Sequence, residues 1–443
     1  RYRKPPPRYS RAPPLALPAA VMGAARVVPQ HLRIGLPLLT AATVALLVAA
    51  HVCKGASTQV DGHAPFGTLK PHAASDDNLI SAVKRLADAH VWLMVFIVAI
   101  LSGLWPYVKL VATLGVVAMA DLGKLSKEAS YNGLCLLEVL GKYSFADVVL
   151  ICFNAVIFEI STGGEYRILL FGSLELNLYM HLKFGSIALV IAVTVSALLT
   201  HWAAYELGPP EPGQKARELA AGAAEREEDP LLLEDGDGSG KLKVLPWLGL
   251  VTALAAAVGL GLLLAGSVTT AVRVERGGFL GNLIRPDSEQ NLEMSIFSMT
   301  SDMWAAGRSR SDGGTLFFAF LFIILVFVAP LLEFAALAAC GLAAALGFKR
   351  TWLWRLEQIA AWLSSFGVVD VFLLVCIAVL FEIKTVVNFN IGDECTPFKA
   401  LMDNKALLTI AGLGFAASDS CFDPHPSLHS GWWILLVSVL LRT

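Results

Sequence analysis

Hydrophobic residues in this chain gather into long uncharged runs parted by short polar stretches. The run from Val91 to Ala120 holds one charge, Lys109, and that from Thr315 to Phe348 holds one, Glu333. Each exceeds the roughly 20 apolar residues that a membrane-crossing helix needs. The pattern predicts eight spans, near 34–52, 91–120, 144–160, 184–204, 246–270, 315–347, 366–387 and 429–443. Two segments depart from it. Ser173 to Lys183 alternates polar and apolar without a break, the period of a half-buried strand, and Val272 to Glu275 is a shorter case. Trp352 to Leu363 has an apolar stripe at 352, 356, 359 and 363, which predicts an amphipathic helix lying in the membrane interface, with Leu134 to Lys142 as a weaker counterpart.

Composition sharpens this picture. Of 443 residues, 56% are apolar and 16% charged, where soluble domains carry about a quarter charged. The fold class that follows is an all-α polytopic membrane protein with a small β element on its outer face. A net charge of −2 excludes nucleic-acid binding as the main task, which needs a concentrated basic face. Residues 1–33 form a basic, Pro-rich arm with seven Lys/Arg and no acid. With that arm inside, the inner loops hold 18 Lys/Arg and the outer loops 13, placing the arm on the cytoplasmic side. Residues 206–245, rich in Gly, Pro and acids, read as a flexible, solvated linker. It separates a first four-span module, 34–205, from a second, 246–443, whose last span is expected to be cut short at Thr443.

The two modules repeat one another. Trp105-Pro106-Tyr107-Val108-Lys109-Leu110 matches Ala329-Pro330-Leu331-Leu332-Glu333-Phe334, each proline being the sixteenth residue of its run. Asp147 and Glu159, twelve residues apart, match Asp370 and Glu382 at an offset of 223 residues. Four spans per copy make the copies parallel, related by an axis along the membrane normal. The Pro-x-x-Lys-Leu core, the amphipathic segment after it, the Asp-Val start of the third span, and the Pro-Leu-Leu-Glu and Val-Val-Asp-Val-Phe equivalents resemble the paraquat-inducible protein A family. That resemblance implies a multi-span membrane protein of paired modules, working beside mammalian-cell-entry (MCE) domain proteins that carry lipid between membranes. Bacterial members carry Cys-x-x-Cys zinc ribbons, and this sequence has none.

Several residues are candidates for chemistry. Lys109 and Glu333 stand three residues after matching prolines. A charge mid-span costs about 2.5–3.5 kcal/mol on insertion scales, so opposite signs at equivalent places predict that they pair across the modules. They then either line a polar path or form a structural ion pair, unless Lys109 snorkels. Pro106 and Pro330 are expected to kink their helices. Asp147 and Asp370 lie in first turns, where a carboxylate caps a helix; Glu159 and Glu382 fall near the outer interface. Cys395 and Cys421 share a loop and are a disulfide candidate in an oxidising compartment. Asp423, His425 and His429 have ligand chemistry, but Pro424 and Pro426 predict a turn. No catalytic arrangement or cofactor fingerprint is present in the sequence.

The leading expectation is a non-enzymatic membrane component of a lipid-trafficking system, handling membrane lipid and docking an MCE-type carrier. Its alternatives are a secondary transporter of a small or amphiphilic solute and a structural scaffold. A lipid-wide crevice, a charge-lined midplane site and a solidly packed module junction would mark the three respectively.

Overall fold

The fold is given by a computed structural model describing residues 28–64, 67–157, 160–161, 166–168, 172–208, 246–278, 291–348, 350–391 and 423–442. The expected arm up to residue 27 and most of the expected linker lie outside these residues, as do Glu159, Cys395 and Cys421. The first module runs α1 (Gln30–Val52), β1 (Ala56–Ala64), β2 (Gly67–Asp77), α2 (Leu79–Asp88), α3 (Trp92–Phe96), a π-helical stretch (Ile97–Leu104), α4 (Trp105–Asp121), α5 (Lys127–Gly141), a 3-10 turn (Lys142–Phe145), α6 (Ala146–Ile157), β3 (Ile160–Ser161), β4 (Tyr166–Ile168), β5 (Gly172–Leu182) and α7 (Phe184–Leu207). The second runs α8 (Pro246–Val268), β6 (Val272–Gly277), β7 (Asn291–Met294), α9 (Ile296–Ser309), α10 (Gly313–Ile323), a π-helical stretch (Ile324–Val328), α11 (Ala329–Ala345), α12 (Arg350–Phe366), α13 (Val369–Ile391), β8 (Asp423–Leu428) and α14 (Ser430–Leu440). Among the described residues, six helical stretches are long and apolar enough to cross a membrane. The chain is an all-α polytopic membrane protein with two small sheets.

Each sheet closes its module in the same way. The strand after the first span pairs antiparallel with the strand before the fourth: β1 with β5, starting at Ala56 opposite Leu182, and β6 with β8, starting at Val272 opposite Leu428. Beyond the strands the ladder continues at matching places. Lys183 N–H donates to Gly55 O and Gly185 N–H to Lys54 O, as His429 N–H does to Ala271 O and Gly431 N–H to Thr270 O. The two glycines allow this approach. A Cβ on Gly185 would lie 2.7 Å from two carbonyl oxygens, and one on Gly431 within 2.5 Å of another.

The expected strands at 173–183 and 272–275 are β5 and β6. The segment read as a turn around Pro424 and Pro426 is instead β8, an edge strand of the order β7-β6-β8. Prolines two residues apart present their hydrogen-less nitrogens to one side, which an edge strand can leave unpaired. Both sheets lie at one end of the bundle. His181, at the end of β5, reaches Asp312 at the start of α10, 3.2 Å away, and Leu182 O lies against Gly314. The modules are therefore parallel, and that end is called the sheet end below.

The third spans differ from expectation. The amphipathic segments do not lie flat in the interface. Along α5, Gly133 faces Val116, while Gly141 faces Lys109 and Leu140 O accepts from Trp105 Nε1. As α5 advances it climbs back along α4, antiparallel to it. In the second module Ala360 and Leu363 of α12 pack on Ala336, and Gly367 just beyond meets Glu333 and Pro330. Lys109 and Glu333 each stand twelve residues before the end of their helices, about 18 Å at 1.5 Å per residue. The upper ends of α5 and α12 thus reach roughly the middle of a hydrocarbon core about 30 Å thick. There the chain breaks, at Lys142–Phe145 and at Gly367–Val368, and restarts as α6 and α13. Each third span is a broken helix, α5–α6 and α12–α13, and the expected 144–160 span is only its upper part.

The modules meet along α6 and α13. Phe153 stacks on Phe372 at 5.5 Å, Phe322 meets Phe372 edge-on, and Cys152 and Cys376 are fully buried beside them. With little hydrophobic drive inside a bilayer, such close packing holds helices together, each aromatic pair adding about 0.5–1.5 kcal/mol.

Candidate functional site

The breaks gather most of the buried charge among the described residues. Pro106 and Pro330 come first in this construction. Proline lacks the N–H that would bond four residues back. Instead of a plain kink, both helices widen: Trp105 N–H donates to Ile100 O and Ala329 N–H to Ile324 O, five residues back, directly before each proline. Matching π turns of this kind recur at functional places in helices.

One turn later Lys109 and Glu333 point inward, both buried. They do not form the expected pair, because each faces the half-helix end of its own module. Glu333 Oε1 accepts from Arg442 Nε at 2.6 Å, and Arg442 also donates to Ser364 O at 2.9 Å, Ser364 Oγ at 2.7 Å and Gly367 O at 3.4 Å. These carbonyls end α12, where the macrodipole is negative and a guanidinium is favoured. In the first module the ammonium of Lys109 fills the notch left by Gly141, where a Cβ would lie 2.2 Å from Nζ. The carboxylate whose charge reaches it is Glu138, one turn below on α5.

Glu138 links the modules. Its Oε1 accepts from Ser365 Oγ of α12 at 2.6 Å and lies 2.7 Å from His201 Nδ1 of α7. Beside it Thr113 and Thr200 hydroxyls are 3.2 Å apart. Lys142 at the first break pairs with Asp370 of the second module at 2.5 Å, and its charge also reaches Glu333. One belt therefore crosses the molecule at the level of both breaks: His201, Glu138, Lys109, Ser365, Ser364, Arg442, Glu333, Lys142 and Asp370. It holds three acids, three bases and one imidazole, so it is neutral with His201 uncharged. Two carboxylate oxygens, Glu333 Oε2 and Asp370 Oδ1, are buried without a described hydrogen-bond partner.

The other candidates take separate places. Asp147 lies buried in the first turn of α6, facing the Ser102 hydroxyl of the π stretch without a direct hydrogen bond. Asp370 is engaged across the junction rather than capping alone. Glu382 does cap a helix, but in the other module: its two oxygens accept from Leu93 and Met94 N–H at 2.8 Å each, holding the start of α3. Lys384, two residues on, pairs with Asp423 at 2.8 Å. At the sheet end, burial alone would raise the Asp312 carboxyl, but hydrogen bonds from Thr315, His181 and the Gly314 backbone outweigh it and hold it below its ordinary value. Among the described residues no three potential ligands gather to hold a metal. Sequence reasoning missed Glu138, His201, Lys142, Ser365 and Arg442. The one signal in reach was Glu138 standing one turn from Leu134, on the apolar stripe of α5.

Two parallel bundles of apolar helices, each with a π turn before a proline and a broken third span beside a buried charge, define a polytopic membrane protein of paired modules. Residues 36–164 and 290–411 each match the paraquat-inducible protein A family. Together they cover more than half of the chain, and the chain belongs to that family. Comparison with curated proteins gave no match, and neither did comparison with solved structures.

Proposed function

We propose that this chain is a non-enzymatic membrane component of a system that moves lipid between membranes, with α1 and α4 bounding the lipid's way in. The observation that carries the reading is how these two helices meet. Arg33 pairs with Asp121 at one end and Tyr107 Oη lies 3.0 Å from His51 Nδ1 near the other. Between those clasps α1 leans on α7 and scarcely touches α4. The space beside Gly115 of α4 is open, with nothing within 4 Å of a Cβ placed there. The gap left between the clasps would take an acyl chain, with the apolar side chains of α1 and α4 as its walls. The arm and linker would then lie on the cytoplasmic side, and the strands at the sheet end would receive a tethered carrier of the MCE type by edge pairing.

The test is lipid identification by mass spectrometry on the purified chain, beside a Gly115→Trp variant that plugs the slot. The reading expects one lipid class enriched over the surrounding membrane and lost, about tenfold, in a variant that still folds. No enrichment in the parent chain overturns it. The charge belt favours a second reading, a secondary transporter of a small solute, which predicts solute flux in vesicles that survives the Gly115→Trp change. The packed α6–α13 junction is what a scaffold would need, and absence of both lipid and flux would leave that reading.

A further inference from the structure

We propose that the first module holds a proton-binding site, His201 with Glu138 as its counter-charge, whose occupancy is felt by the second module through α12. An ionised carboxylate only accepts hydrogen bonds. At 2.7 Å from Glu138 Oε1, His201 Nδ1 must therefore carry the hydrogen. The neutral imidazole then leaves Nε2 with a lone pair, and the ring is one-fifth exposed rather than sealed in the bundle. A proton bound at Nε2 makes an imidazolium that forms a closed ion pair with Glu138.

Two arrangements make this more than a buried pair. The first is charge balance. Lys142 is matched by Asp370 and Arg442 by Glu333. Glu138 is the acid left for Lys109, whose charge it reaches from one turn away on α5. A proton on His201 takes over Glu138 and leaves Lys109 unmatched, so the belt passes from neutral to one positive charge. The second is position. Two side chains of α12 touch the site, Ser365 on the same carboxylate oxygen and Trp362 with its ring 6.5 Å from the imidazole.

Around His201, α5 brings Glu138, α4 Lys109, and the first break Lys142. α12 carries Arg355 and Glu357, both exposed, and α1 brings His31 and Arg33, engaged by Glu206 and Asp121. The second module cannot do the same, because its cation is a guanidinium, which stays charged at every accessible pH. The inference does not depend on lipid being the cargo.

Trp362 supplies the readout, since a protonated imidazole quenches a neighbouring indole. The full chain, purified into nanodiscs, is titrated from pH 5 to 8, the range in which imidazoles usually change charge. The fluorescence difference against Trp362→Phe isolates the signal. The expected result is a single transition that is absent in His201→Gln. Glu138→Gln moves it to lower pH, because the carboxylate that favours the imidazolium is gone. A parent chain with no transition overturns the proposal, whatever the variants do. So does a transition that persists unchanged in folded His201→Gln.

Discussion

The two modules share a backbone plan and treat it in opposite ways. In the second, α8 lies in backbone contact with α11: a Cβ on Gly249 would be 2.6 Å from Gly341 O, and one on Gly341 equally close to Gly249 O. Gly259 admits the ring of Phe334, and Gly266 admits Leu435 of α14. The charge beside the break is closed by Arg442. In the first module α1 has no such notches against α4, and its charge is shared among Lys109, Glu138 and His201. Small residues and a guanidinium make one module a fixed frame. Clasps at the ends and exchangeable protons make the other the half that can change. The shared broken helices show that this difference comes from a few side chains rather than from topology.

The comparison breaks most easily at Arg442. Arg442→Ala leaves Glu333 buried without its counter-charge and is expected to cost about 3–5 kcal/mol, read as a large fall in thermal stability in detergent. Lys109→Met removes the cation nearest Glu138, but that carboxylate keeps Ser365 and His201 as partners, and the expected cost is smaller. Equal losses would erase the distinction between a locked and an open module. Next comes Gly341→Leu, where the obstructing atoms are backbone and cannot move aside. We expect about 1–3 kcal/mol or more, against little change for Gly115→Leu, measured side by side in the same assay.

The smallest effect tests the contact between modules at the sheet end. The Asp312 carboxyl is held below its ordinary value, so its contribution is present above the unfolded value, about 3.9, and fades as pH falls through the folded one. Stability measured downward from pH 5 should therefore show an acid limb that Asp312→Asn removes. If the limb survives that substitution, other carboxylates carry it.

Much of this frame was legible in the sequence. The prolines, Lys109 and Glu333 and the spaced acids stand in register because both copies keep the same helices. What the residues could not reveal is partnership. An apolar stripe with tryptophans reads alike whether a helix lies on a membrane or climbs along its neighbour. The slope of α12 was therefore hidden, and with it the level at which Glu333 meets Gly367 and Arg442. Opposite charges at equivalent places suggested a mutual pair. Partner choice depended instead on Arg442, one residue from the end of the chain, and on Glu138, which looked like part of a surface helix. Pro424 and Pro426 misled for a related reason: whether a proline stops a strand depends on which side is left without a neighbour.

The five-back hydrogen bonds ahead of Pro106 and Pro330 carry a last consequence. Each amounts to one residue more than a regular helix would use, and a single residue turns a helix by about 100°. Removing it from either copy would swing Trp92 and its companions, or Phe318 and its companions, round the axis while the ammonium or carboxyl below stayed put. A one-residue deletion there would be a rotation applied to half a rod. The faces shown at its two ends are thus held in phase by a single peptide unit, present twice.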